Sequence, residues 1–110
     1  MLIMEKQENH QALSARSAVR RFLREHPDVQ WGAILKACLA EAERTQGEFA
    51  GAWVLNEVKK LGVDWFPNLR PLVVHGVLTR TGVSRGGRRA YYVMPDPAGV
   101  RNAMREIGLI

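Results

Sequence analysis

The sequence predicts a mainly helical α+β domain that carries a small β-hairpin. Two patterns support this. Apolar residues recur at helical spacing through residues 10–25, 31–42 and 52–61, and after Gly76 the period changes from helical to two. Length is the third observation: 110 residues suit one domain and can bury a core without staples. With 46 % hydrophobic and 25 % charged residues, the composition is that of a globular chain.

Residues 10–25 present Ala12, Ala15, Val19, Phe22 and Leu23 on one side of a helix and Arg16, Arg20 and Arg24 on another. His26-Pro27 stops that helix, because proline disfavours helix in the residue before it. Asp28 is the expected N-cap of the next helix, in which Trp31, Ile34, Leu35, Cys38, Leu39 and Ala42 form a buried stripe. Lys36, Glu41, Glu43 and Arg44 are expected opposite the stripe, with Gly47 at the exit. Glu48-Phe49-Ala50 reads as an edge strand or an extended linker. From Ala52 to Leu61 the helical pattern returns through Trp53, Val54, Val58 and Leu61, and Gly62 suits the left-handed position after it.

Asp64-Trp65-Phe66-Pro67 reads as a connector to a third short helix carrying Leu69, Leu72 and Val73. With Asn68 as its N-cap, Pro71 falls in the first turn, where no intrahelical bond is lost. A start at Pro67 would instead force a kink. Val77–Thr81 and Arg89–Met94 then read as strands joined by the glycine-bearing connection 82–88. Asp96 and Pro97 open a last helix along Val100, Ala103, Met104 and Ile107. The chain thus divides into a helical extension (1–27), a core (28–95) and a terminal helix (96–110).

The net charge of +5 is unevenly placed. Residues 1–27 carry +2, residues 28–75 carry −1 and residues 76–110 carry +4, and every basic residue of the last segment is Arg. Arginine suits phosphate forks and groove insertion, so this polarity points to nucleic acid. The hairpin arginines face no acidic residue between Gly76 and Pro95. A merely solubilising hairpin would more often mix lysine with glutamate.

The order helix, short strand, helix, turn, short helix, hairpin resembles the winged helix-turn-helix family of DNA-binding domains. The resemblance covers residues 28–94 and is most specific at Leu69-Arg70-Pro71-Leu72-Val73-Val74-His75-Gly76-Val77-Leu78, which a basic hairpin follows. It implies a third helix in the major groove and a wing on the backbone or in the minor groove. Carried onto this chain, the base readers would be Asn68 and Arg70, with His75 more distant. The wing contacts would be Arg80, Arg85, Arg88 and Arg89, with Gly86 and Gly87 allowing close approach and Tyr91 or Tyr92 adding a phosphate hydrogen bond. The third segment has few polar readers and no lysine, which favours wing-dominated, weakly sequence-specific binding. Double-stranded DNA is therefore the expected partner and transcriptional regulation the expected role. The alternative is a winged-helix module for protein interaction, with Trp65, Phe66 and Pro67 as its anchors.

Other chemistry finds little support. Cys38 lies inside an apolar stripe without a nearby histidine, and one cysteine builds neither a disulfide framework nor a cysteine metal cage. His10, His26 and His75 have no metal-ligand spacing, and no phosphate-cradling loop with a following Lys-Ser/Thr occurs. Neither enzyme activity nor a cofactor is expected. Trp31, Trp53 and Trp65 read as core rather than as stacking platforms. Arg16, Arg20 and Arg24 form either a solvated helix face or a second DNA contact. The two terminal helices either pair subunits into a homodimer or pack on their own domain. No apolar run approaches the roughly 20 residues of a membrane span, and Met1–Lys6 lack a signal-peptide core. A cytoplasmic location (nucleoid-associated if bacterial) is expected.

Overall fold

A central helix organises the fold. The computed structural model describes residues 15–60, 62, 68–83 and 90–110. Helix α1 covers described residues 15–25, and α2 (Val29–Thr45) follows the break at His26-Pro27. Then come β1 (Phe49–Ala50), α3 (Gly51–Lys60), α4 (Arg70–Val74), β2 (Thr79–Val83), β3 (Ala90–Val93) and α5 (Pro97–Glu106). The result is mainly helical with one three-stranded antiparallel sheet, in the order β1-β3-β2.

All six residues of the α2 stripe are buried, as the periodicity requires. The buried surface is nevertheless wider than the stripe, since Ala37 and Glu41 are buried too. Glu41, expected on the solvated side, is 6 % exposed because α3 packs along that flank of α2. Its carboxylate accepts a hydrogen bond from Arg44 Nε at 2.6 Å, which offsets the cost of burying it. Asp28 stands at the N-cap but caps with its backbone alone, its carbonyl accepting from Trp31 N at 3.0 Å. At the exit, Gln46 rather than Gly47 takes the left-handed conformation (φ 55°) and donates to the Ala42 carbonyl. The Thr45 hydroxyl satisfies Gly47 instead, accepting from its N–H at 3.2 Å.

Phe49 and Ala50 are buried and pair with Tyr92 and Tyr91, so β1 is a strand and not a linker. α3 begins at once after it and buries Val54 and Val58. Gly62 takes the expected left-handed conformation (φ 83°). Leu61 and the connector residues 64–67 lie outside the described residues.

Helix α4 is shorter than expected and starts later. Leu69 is its N-cap and Pro71 still falls in the first turn. The Asn68 side chain acts one residue outside the helix, its Oδ1 accepting from Arg70 N at 2.9 Å. That local turn is a competing use of asparagine, and it explains the shift. Val77 and Leu78, expected at the start of a strand, instead donate to the Leu72 carbonyl at 2.9 and 3.1 Å. Both are buried as part of the helix exit, and β2 begins only at Thr79.

β2 and β3 pair Thr79 with Val93 and Arg80 with Tyr92, then Gly82 with Tyr91 and Val83 with Ala90. Thr81 is the extra residue of a bulge, so Gly82, expected in the connection, belongs to the strand. In α5 the Asp96 carboxylate accepts from Gly99 N at 3.0 Å, and Pro97 takes the first turn, as read from the sequence. Val100, Ala103 and Met104 are buried, whereas Ile107, expected on the same face, is 40 % exposed beyond the helix end.

The terminal helices pack on their own domain. Val19 and Phe22 of α1 and Val100, Ala103 and Met104 of α5 all join the single hydrophobic core. Glu106 accepts from Arg16 Nη2 at 2.6 Å and from Arg20 Nη2 at 3.1 Å, tying α5 to α1. Among the described residues, the apolar faces that suggested subunit pairing are therefore largely used within one chain, with Ile107 left exposed. Two of the three arginines read as a solvated face or a DNA contact hold an intramolecular carboxylate.

Candidate nucleic-acid interface

The antiparallel pairing of β2 with β3 sets Arg80 opposite Tyr92, beside the start of α4. Asn68, Arg70, Val73, Arg80 and Tyr92 together line a cleft of about 450 Å³. Each wall has a local cause. Leu69 and Leu72, 1 % and 0 % exposed, bury the inner side of α4 and turn Arg70 outward. Tyr92, packed against Phe49 of β1, forms the floor.

The cleft's polar groups are mostly donors. Both guanidinium groups can only donate, and both arginines are exposed. Asn68 uses its oxygen on Arg70 N, which leaves the amide NH2 for a ligand. Neither Arg70 nor Arg80 has an ion-pair partner among the described residues. Glu48 does reach β2, but it accepts from the Thr81 hydroxyl at 2.6 Å rather than from an arginine. A donor-rich cleft of positive charge suits an anion with several acceptor oxygens, such as a phosphodiester.

Four of the residues singled out by sequence thus meet in one place: Asn68, Arg70, Arg80 and Tyr92. Arg85, Gly86, Gly87, Arg88 and Arg89 lie outside the described residues. His75 does not join the cleft. Its side chain is 11 % exposed and its Nε2 lies 3.2 Å from Glu25 Oε2, while the ring packs edge-on against Phe22 at 5.8 Å. It serves to hold the exit of α4 against α1. Tyr91 is turned away as well, half-buried with its ring edge-on to Trp53 at 6.3 Å, so the cleft takes Tyr92 instead.

Sequence reasoning missed Val73 and Val74. The sequence pattern places Val73 with Leu69 and Leu72 and does not single out Val74, yet Val73 lines the cleft and Val74 is 71 % exposed. The missed signal was angular: at about 100° per residue Val73 lies to the side of Leu72 and Val74 nearly opposite it.

The remaining surface offers less. A cavity of about 680 Å³ between the end of α2 and the start of α5 is lined by Ala42, Met94, Pro97 and other mainly apolar groups. Its charged residues, Glu43 and Arg101, are spent on each other, with Arg101 Nε donating to Glu43 Oε2 at 2.7 Å. Trp53 is flanked by Tyr91 and by the Arg44 guanidinium 5.4 Å above its ring, and Trp31 is buried against Phe22. Cys38 is fully buried, and burial pushes its thiol far up, away from the thiolate a nucleophile needs. Among the described residues, no cluster of three His, Cys, Asp or Glu could hold a metal ion, and no helix is long and apolar enough to cross a membrane.

No family model, curated protein or solved structure matches this chain.

Proposed function

We propose that the protein is a double-stranded DNA-binding domain of the winged-helix kind, acting in transcriptional regulation by binding rather than by chemistry. α4 is the reading helix, and the β2–β3 hairpin is the wing. One observation carries the reading: Arg70 and Arg80, from two different elements, line one donor-rich cleft and have no carboxylate partner among the described residues. The sequence around them reinforces it, since Arg70, Arg80, Arg85, Arg88 and Arg89 fall between Asp64 and Asp96 with no carboxylate side chain among them. The helix–strand–helix–helix–hairpin order and the β1-β3-β2 sheet are compatible with such a domain. Pairing of subunits through the terminal helices is not part of the proposal, because Val19, Phe22, Val100, Ala103 and Met104 are already buried in the chain's own core.

Titrating a fluorescent DNA duplex at a series of salt concentrations tests the reading. Four phosphate contacts, from Arg80, Arg85, Arg88 and Arg89, give a log–log slope of about −3.6, at roughly −0.9 per contact. Arg80→Gln shortens that slope by about 0.9 without touching the core. Absence of duplex binding at low salt overturns the proposal.

A further inference from the structure

The burial pattern of α4 says which of its side chains would face a groove. From Arg70 to Val74 the residues are exposed, half-buried, buried, half-buried and exposed. Leu72 is the buried centre, at 0 % exposure. At roughly 100° per residue, Arg70 and Val74 stand about 40° apart on the side opposite Leu72. Val74 is 71 % exposed, more than the other large apolar side chains noted as exposed, Ile107 and Ile110. The outward edge of the helix is therefore a guanidinium and an isopropyl group, one turn apart.

Resting on the duplex-binding reading above, we infer that Val74 contacts the 5-methyl group of thymine while Arg70 takes a guanine two base-pair steps away. Two arguments carry this. First, in the major groove the thymine methyl is an apolar feature matched by apolar side chains, as guanine O6 and N7 are matched by arginine. Second, four residues of helix advance about 6 Å, close to two base-pair steps at 3.4 Å each, so the two contacts fit base pairs two steps apart. A protein partner is the poorer occupant, because one exposed valine supplies far less than the roughly 800 Å² per side of a stable interface. Arg70, one turn from Val74, and Arg80, which shares its cleft, have no ion-pair partner among the described residues and favour a polyanion.

Two fluorescent random-sequence duplex pools test the inference, identical except that one carries thymine and the other uracil, which lacks only the methyl. The wild-type protein binds the thymine pool about fourfold more tightly, the gain expected from burying one methyl-sized group. Val74→Ala, a substitution at an exposed position, binds the uracil pool as the wild type does and loses the preference. Circular dichroism melts confirm that this variant folds. Equal binding of both pools by the wild type overturns the inference and leaves the duplex-binding reading intact. A preference that survives Val74→Ala overturns it too, since the methyl is then read elsewhere. Failure to bind either pool at low salt overturns the duplex-binding reading itself.

Discussion

Replacing Phe22 by alanine separates the two uses proposed for the first helix, packing on its own domain or pairing with a second copy. Phe22 is fully buried, with Trp31 edge-on at 5.1 Å, His26 at 5.0 Å and His75 at 5.8 Å. Losing the ring removes about 1.5–3 kcal/mol of burial. It also forfeits aromatic contacts at roughly 0.5–1.5 kcal/mol each and leaves a cavity. Phe22→Ala should therefore cost about 4 kcal/mol, within the usual range of about 3–5 for such a change. A domain of this length has roughly 5–15 kcal/mol in total, so the variant is left marginal. Its melting temperature falls by roughly 15–30 °C. Urea unfolding followed by tryptophan fluorescence measures the loss, with Trp31 reporting from beside the substituted ring. A cost below about 1 kcal/mol refutes the docking of α1. So does a wild-type midpoint that rises with protein concentration, because that dependence belongs to helices docked on another copy.

Two further perturbations read other contacts of the same framework. Gly99→Ala should destabilise, although alanine in a helix ordinarily gains about 1 kcal/mol over glycine. A Cβ at Gly99 would lie 2.8 Å from Ala15 Cβ and collide with the Asp96 carboxylate that caps α5, so a loss of about 1–3 kcal/mol is expected; a raised melting temperature would show that α1 and α5 do not approach so closely. Glu43 supplies a pH dependence. The hydrogen bond from Arg101, and then its charge, hold the Glu43 carboxyl below its ordinary value of 4.5. Its stabilisation is present above that value and is lost as pH falls through the depressed one. The wild type should thus exceed Glu43→Gln in denaturant midpoint near neutrality, and the two should converge in acid. A gap that persists in acid would assign the difference to something other than this pair.

Local patterns reveal faces; partners need the assembled fold. The α2 stripe, the Asp96–Pro97 start of α5 and the left-handed Gly62 were readable because each depends on residues within a turn or two of one another. Glu41 was misread because its burial is decided by α3, ten residues further on, and no periodicity within α2 encodes that neighbour. Val77 and Leu78 alternate like a strand, but the Leu72 carbonyl captures both N–H groups first. The same limit applies at the cleft. Asn68, Arg70 and Arg80 were each identifiable as candidates, while their convergence depends on the bulged β2–β3 register. Period-two reading also implied that one of Tyr91 and Tyr92 faces outward. Only Trp53 on one side and Phe49 on the other decide which tyrosine reaches the cleft.

The net charge acquires meaning from how the carboxylates are allocated. Glu106 is held by Arg16 and Arg20, Glu41 by Arg44, Glu43 by Arg101, Glu57 by Lys60 and Glu25 by His75. Most of these pairs bind α1, α2, α3 and α5 to themselves or to one another, and His75 adds the exit of α4. None involves Arg70 or Arg80, which line one cleft without an ion-pair partner among the described residues. Exposed pairs of this kind contribute little to stability, so their placement matters more for the field than for the fold. Cations neutralised at close range project weakly beyond a Debye length of about 8–10 Å, whereas unpaired ones set the potential an approaching polyanion meets. An excess of +5 spread over paired residues would steer nothing. Among the described residues Arg21, Arg24, Lys36, Lys59 and Arg105 also stand outside these pairs, so what distinguishes Arg70 and Arg80 is that two such cations, from different elements, line one cleft.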